Sequence, residues 1–265
     1  MSKKHNQLSM KEEYRSKPLV LVTYVILRTI VAAVLVLSIL HKNYESAFTC
    51  ALVLILYLLP PLVQKNFRIE LPSVLEIIIL VFIFAAEILG ELGAYFITYP
   101  HWDTILHTTT GFICAAFGYS MVDFLNRNSP HVRLSPLFMA LVSFCFSMTI
   151  GVLWEFFEFG VDQLFHADMQ KDTIIHAFSS VMLDPTNSNQ AIHVANITDV
   201  AVNGESLGLG GYLDVGLFDT MEDLFVNFIG AVVFNIVAYI SAKFGKNRVA
   251  ENFVPKVLPE EKSES

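Results

Sequence analysis

The chain has 265 residues, 54% of them hydrophobic and only 16% charged, with a mean hydropathy of +0.54, a balance that excludes an ordinary soluble domain and fits a multi-span membrane protein. The net charge of −8 comes with no basic patch interleaved with aromatics, so nucleic acid is not an expected partner. The three cysteines, Cys50, Cys114 and Cys145, lie inside apolar runs and build no disulfide framework.

In chain order, a hydrophilic tail (residues 1–17) precedes the first apolar run, Pro18–Leu40. No Ala-x-Ala cleavage site follows it, so it reads as a retained span rather than a signal peptide. Arg28 falls near its middle, far from either surface. Two roles stay open for it: neutralising a carboxylate, or binding a phosphate-bearing substrate. The second span is Ser46–Val63 and the third Leu71–Phe96, which carries Glu87 and Glu91 beside Gly90 and Gly93. The fourth is Ile105–Leu125, the fifth Pro136–Phe159 and the sixth Met221–Phe244. The expected fold is therefore all-α, a polytopic transmembrane bundle over residues 18–244, with a hydrophilic tail at 245–265. Both tails are expected to be mobile.

Gly160–Thr220, between spans five and six, is too long for an ordinary connection. Within it, Asp172–Met182 is predicted as a short surface helix and Asn203-Gly204 as a hairpin turn. The glycine-rich stretch Leu207–Gly216 is predicted to dip back toward the membrane.

Basic residues orient the chain. Lys3, Lys4, Lys11, Arg15 and Lys17 precede span one, Lys65 and Arg68 separate spans two and three, and Arg127 and Arg133 separate four and five. Lys243, Lys246 and Arg248 follow span six, whereas the opposite connections hold only Lys42 and Lys171. The positive-inside rule then makes both termini cytoplasmic in a cell-membrane protein and the acidic 160–220 loop extracytoplasmic.

With that alternation, four pairs of ionisable residues fall near the outer face: Glu87 and Glu91, Asp103 and His107, Glu155 and Glu158, Asp219 and Asp223. Members of a pair are three or four residues apart and share a helix face. Asp103 is placed to orient the His107 imidazole as a general base or nucleophile. Below His107 the face is small, with Thr110, Gly111, Cys114 and Gly118, and admits a close neighbour. Glu155, Glu158 and Asp162 form one acid stripe, and Asp219, Asp223 and Asn227 another, continued by Gly230. So many carboxylates against Arg28 call for protons, water or a divalent cation, with Mg²⁺, Mn²⁺ or Ca²⁺ suiting an oxygen-rich set and His107 leaving room for Zn²⁺.

The blocks Asp103-x-x-x-His107, Trp154-Glu155-x-x-Glu158 and Asp219-x-x-x-Asp223-x-x-x-Asn227-x-x-Gly230 resemble the YjdF-like family of bacterial integral membrane proteins, and more distantly the VanZ-like families. The resemblance implies a cell-envelope role and no particular reaction. The leading expectation is an enzyme hydrolysing or transferring a lipid head group or lipid-linked sugar. In it His107, Asp103, Glu155, Glu158, Asp223 and Asn227 are catalytic, and Arg28 and Asp219 contact substrate. Glu87, Glu91, Glu155, Glu158 and Asp223 are the candidate metal ligands, and the partners are membrane lipids or lipid-linked envelope precursors. The alternatives are an ion- or proton-coupled transporter and a non-catalytic envelope-lipid-binding protein.

Overall fold

A computed structural model describes residues 17–67, 69–128, 133–244 and 252–257. Residues 1–16 of the first tail, with Lys3, Lys4, Lys11 and Arg15, and the basic residues Arg68, Lys246 and Arg248 lie outside the described residues. Among the described residues, six helical segments are long and apolar enough to cross a membrane: Pro18–Leu40, Tyr44–Asn66, Ser73–Leu92, Trp102–Asn126, Pro136–Phe165 and Leu217–Lys243. The protein is thus a polytopic helical membrane protein. Its chain divides into a larger unit, Met1–Ile150 with Val226–Ser265, and a smaller one, Gly151–Phe225.

In the larger unit, helix α1 (Pro18–Leu40) packs on the second span. Val20, Tyr24 and Val31 recur at helical spacing and are buried with Cys50, Val53, Tyr57 and Leu80. The second span is not one helix but two, α2 (Tyr44–Leu56) and α3 (Leu59–Phe67). Pro60 and Pro61 cause the break. Pro61 has no N–H to return to the carbonyl of Tyr57, and an unmet carbonyl inside a membrane is expensive. Arg28 Nη2 donates to that carbonyl at 2.9 Å, and the guanidinium lies over the Tyr24 ring, 4.8 Å from its centre.

At the end of the spans where α1 begins, Lys17 Nζ donates to the Leu71 carbonyl (2.8 Å) and pairs with the buried Glu76 (3.7 Å). Tyr24 and Gln64 also donate to Glu76, at 3.4 and 3.3 Å. Span three begins with α4 (Ser73–Ile83) and continues as a π-helix, Phe84–Leu92. It ends earlier than Phe96, because Ala94 takes a left-handed conformation (φ 55°) and restarts the chain as α5 (Tyr95–Thr98).

Helix α6 (Trp102–Asn128), the first part of α7 (Pro136–Phe165) and the last part of α8 (Leu217–Phe244) carry the second core. Two glycines let α6 and α8 touch backbone to backbone. A Cβ on Gly111 would lie 2.1 Å from the Asn227 carbonyl oxygen, and one on Gly230 would lie 2.0 Å from that of Thr108. On α7, Ser143 and Ser147 donate to the α6 carbonyls of Ala115 (2.7 Å) and Gly111 (2.8 Å). The expectation of a small-residue face on span four is met there.

The expectation of a mobile second tail needs correction over Asn252–Val257. Phe253 stacks edge-on against Phe112 (5.2 Å), Phe253 and Val254 pack on the second core, and Pro255 is buried. Strand β8 (Lys256–Val257) pairs antiparallel with β1 (Ile69–Glu70). Apolar side chains in an otherwise polar tail give it something to bury.

The smaller unit holds the end of α7, the start of α8 and the long connection. Asp172–Met182 is not a helix. Ile174–Ile175 (β2) pairs with Tyr212–Leu213 (β7), and Phe178–Ser180 (β3) with Ile192–Val194 (β4). The β-branched run Thr173-Ile174-Ile175 favours that extended course. The hairpin at Asn203-Gly204 is present: Ala201–Val202 (β5) pairs with Glu205–Ser206 (β6), and both turn residues have positive φ (56° and 89°). Leu207–Gly216, expected to dip toward the membrane, contains β7.

Candidate carboxylate site

Within the smaller unit three carboxylates meet. Glu155 and Glu158 come from one face of α7 and Asp223 from α8. They are 4%, 7% and 3% exposed, and one oxygen of each lies within 4.8 Å of the others. Two unit charges at that separation repel by roughly 3–4 kcal/mol at an effective dielectric of ~20. Three together therefore require a cation or shared protons. The Trp154 indole N–H donates to Glu158 Oε1 at 2.8 Å, fixing one carboxylate. The set offers oxygen ligands only, which fits a hard divalent ion with water completing the shell.

The helix register gives the cluster's distance along each helix. Glu155 lies ~28 Å along α7 from Pro136, and Asp223 ~31 Å along α8 from Phe244, each about one hydrocarbon thickness.

The other anticipated residues are placed as follows. In the larger unit, His107 Nε2 is 3.5 Å from Asp103 Oδ1, with the histidine side chain 12% exposed and the aspartate 33%. Thus the one-turn spacing does bring the dyad together. Asn227 is 1% exposed; its Nδ2 donates to the Ser147 carbonyl at 3.5 Å, and its Oδ1 has no hydrogen-bond partner among the described residues. Arg28 serves the Tyr57 carbonyl as described. Glu87 and Glu91 sit on the π-helix, the first half-buried and the second exposed. Among the described residues of the larger unit, no third ligating side chain completes that pair.

Asp219 and Asp162 belong to a neck that closes the long connection. Asp162 accepts the N–H groups of Met169 (2.6 Å) and Gln170 (2.9 Å), and Asp219 that of Lys171 (2.8 Å). Asp214 accepts Thr173 N–H and Phe218 N–H, both at 2.7 Å, while the Gln170 side chain donates to Thr220. One strand of backbone is thus gripped by three carboxylates. Nearby, burial and the charges of Asp168 and Asp214 push Asp172 up from the usual carboxylate range. Farther out, Asp184 is held well below that range by the Thr186 hydroxyl and the backbone N–H groups of Thr186, Gln190 and Ser188.

Sequence reasoning missed Trp154 as a donor, although its spacing of four from Glu158 places both on one face. It also missed Ser143 and Ser147, which look like ordinary small residues of an apolar helix. The neck could not be foreseen, since its acceptors meet backbone N–H groups far along the chain.

A family profile described as "Predicted membrane protein (DUF2238)" matches residues 23–244. Comparison with curated proteins and with solved structures found no match.

Proposed function

The chain belongs to the DUF2238 family of predicted membrane proteins, and from that premise we propose that it is a cation-dependent enzyme of the cell envelope. Its substrate class is a lipid head group or lipid-linked sugar, hydrolysed or transferred at the outer leaflet. The observation that carries this reading is the buried Glu155, Glu158 and Asp223 trio, with one oxygen of each within 4.8 Å of the others. In this reading the trio lies near the head groups, and a divalent ion held by the three carboxylates would polarise a phosphate or glycosidic oxygen. The outer side is assigned from the basic residues: Lys17 and Lys65 stand at the opposite ends of their spans, and both termini are cytoplasmic in this reading.

The test uses purified protein in lipid nanodiscs. Mn²⁺ binding is followed by electron paramagnetic resonance, and lipid and lipid-linked glycan profiles are compared in cells with and without the gene. Any species that changes is then given to the purified protein. The expected result is one bound Mn²⁺ per chain, lost in Glu158→Gln and Asp223→Asn, and cation-dependent turnover of a changed species. Saturable substrate binding without turnover would replace the enzyme by a lipid-binding protein. His107→Gln forms a second arm: loss of turnover with Mn²⁺ still bound assigns proton transfer to the Asp103–His107 dyad.

A further inference from the structure

The segment Asn252–Val257 packs against the second core of the larger unit. It enters beside α6 and α8, where the Phe253 ring meets Phe112 at 5.2 Å, and Phe112 meets Phe234 at the same separation. Ser120, 4% exposed, donates its hydroxyl to the carbonyl of Pro255. The chain then leaves by pairing Lys256 with Glu70 and Val257 with Ile69. Along α6, Phe112 lies ~12 Å from Ser120 and ~24 Å from Asn128, so the aromatic anchor reaches well inside the span.

We propose that Asn252–Val257 is a releasable strap that plugs this end of the bundle, with Phe253 as its wedge and β1 as its latch. Two features support release rather than permanent packing. The latch is only two residue pairs long, and so short a ladder is weak alone. A cavity lined by Glu70, Pro72, Ser73, Val74, Asn252 and Lys256 lies beside the strap, leaving its edge incompletely packed. Released, the strap uncovers Ser120 and an aromatic-lined cleft. Closed, it denies that cleft to solvent, lipid and extended peptides. The inference is independent of the carboxylate site.

The test is thiol accessibility in the full-length protein in nanodiscs. Cys50, Cys114 and Cys145 are replaced by alanine and Ser120→Cys is introduced as the reporter. A hydrophilic maleimide should label it about tenfold or more faster after truncation at Asn247 than in the intact chain, the size of effect a local opening gives. A second pair, Ile69→Cys with Val257→Cys, should cross-link within one chain, abolish the residual labelling of the reporter in the intact protein, and release it on reduction. To guard against misfolding, the truncated protein is supplied with a synthetic peptide spanning Asn252–Val257, which should restore protection. Equal labelling of intact and truncated chains overturns the strap. Cross-links found only between copies overturn it in favour of an exchanged segment. A cross-linked chain labelled as fast as the reduced one overturns release.

Discussion

Arg28 donates to the carbonyl of Tyr57 at 2.9 Å, the carbonyl for which Pro61 supplies no N–H. A charged side chain near mid-span is therefore serving as the missing backbone donor of its neighbour helix. Arg28→Met should lower stability by about 1–3 kcal/mol, the cost of an unmet buried acceptor. Adding Pro61→Ala should recover part of that loss by restoring the donor within the helix. Thermal unfolding in one detergent for the four combinations checks this; simply additive losses would contradict it.

The carboxylate trio has a sign test. With cation removed by chelation, Glu155→Gln relieves like-charge repulsion and should raise the melting temperature at neutral pH. With Mn²⁺ present the same change removes a ligand and should lower it relative to the parent. Parallel scans with and without chelator distinguish this from a purely structural carboxylate, for which both shifts have the same sign.

Gly111→Ala and Gly230→Ala should each destabilise by several kcal/mol or block helix association, since the added carbon would meet backbone oxygen at 2.1 or 2.0 Å. Gly160→Ala is the control. Nothing lies within 4 Å of that site, so the better helix former should stabilise by up to ~1 kcal/mol. Unfolding midpoints of the three variants provide the measurement.

Asp184 predicts a pH response. Hydrogen bonds depress its carboxyl in the folded state, so the order it confers is fully present above the ordinary carboxylate value of ~3.9. That order is lost only as pH falls through the depressed value. Amide exchange of Thr186–Gln190 should therefore show constant protection from about pH 5 to 8, after correction for intrinsic rates, whereas Asp184→Asn should lower protection throughout. Protection that fades near pH 6 would point to a different group.

Reporter fusions after Asn128 and after Asn187 should report opposite sides, inside and then outside. The same side for both would sink the orientation used to place the carboxylates at the outer leaflet.

The spans were legible because hydropathy and length carry them, and the first matches residue for residue at Pro18–Leu40. Where the reading slipped, a local backbone event was responsible. The Pro60-Pro61 break and the left-handed Ala94 interrupt runs that composition alone makes continuous. Helical spacing placed Glu155 beside Glu158 and Asp103 beside His107, since both pairs lie on one helix. The meeting of Asp223 with the glutamates rested on alternating span direction, a weaker guide than spacing. The grip of Asp219 on Lys171 lay beyond either, because its donor is a main-chain group with no signature in the side chains.

The glycine contact between α6 and α8 also bears on how the protein is made. Gly111 is made 119 residues before Gly230, so α6 is complete well before its close-packing partner exists. The two glycines thus couple stretches translated far apart in time, and a chain ended before Gly230 would lack the backbone contact for which Gly111 leaves room.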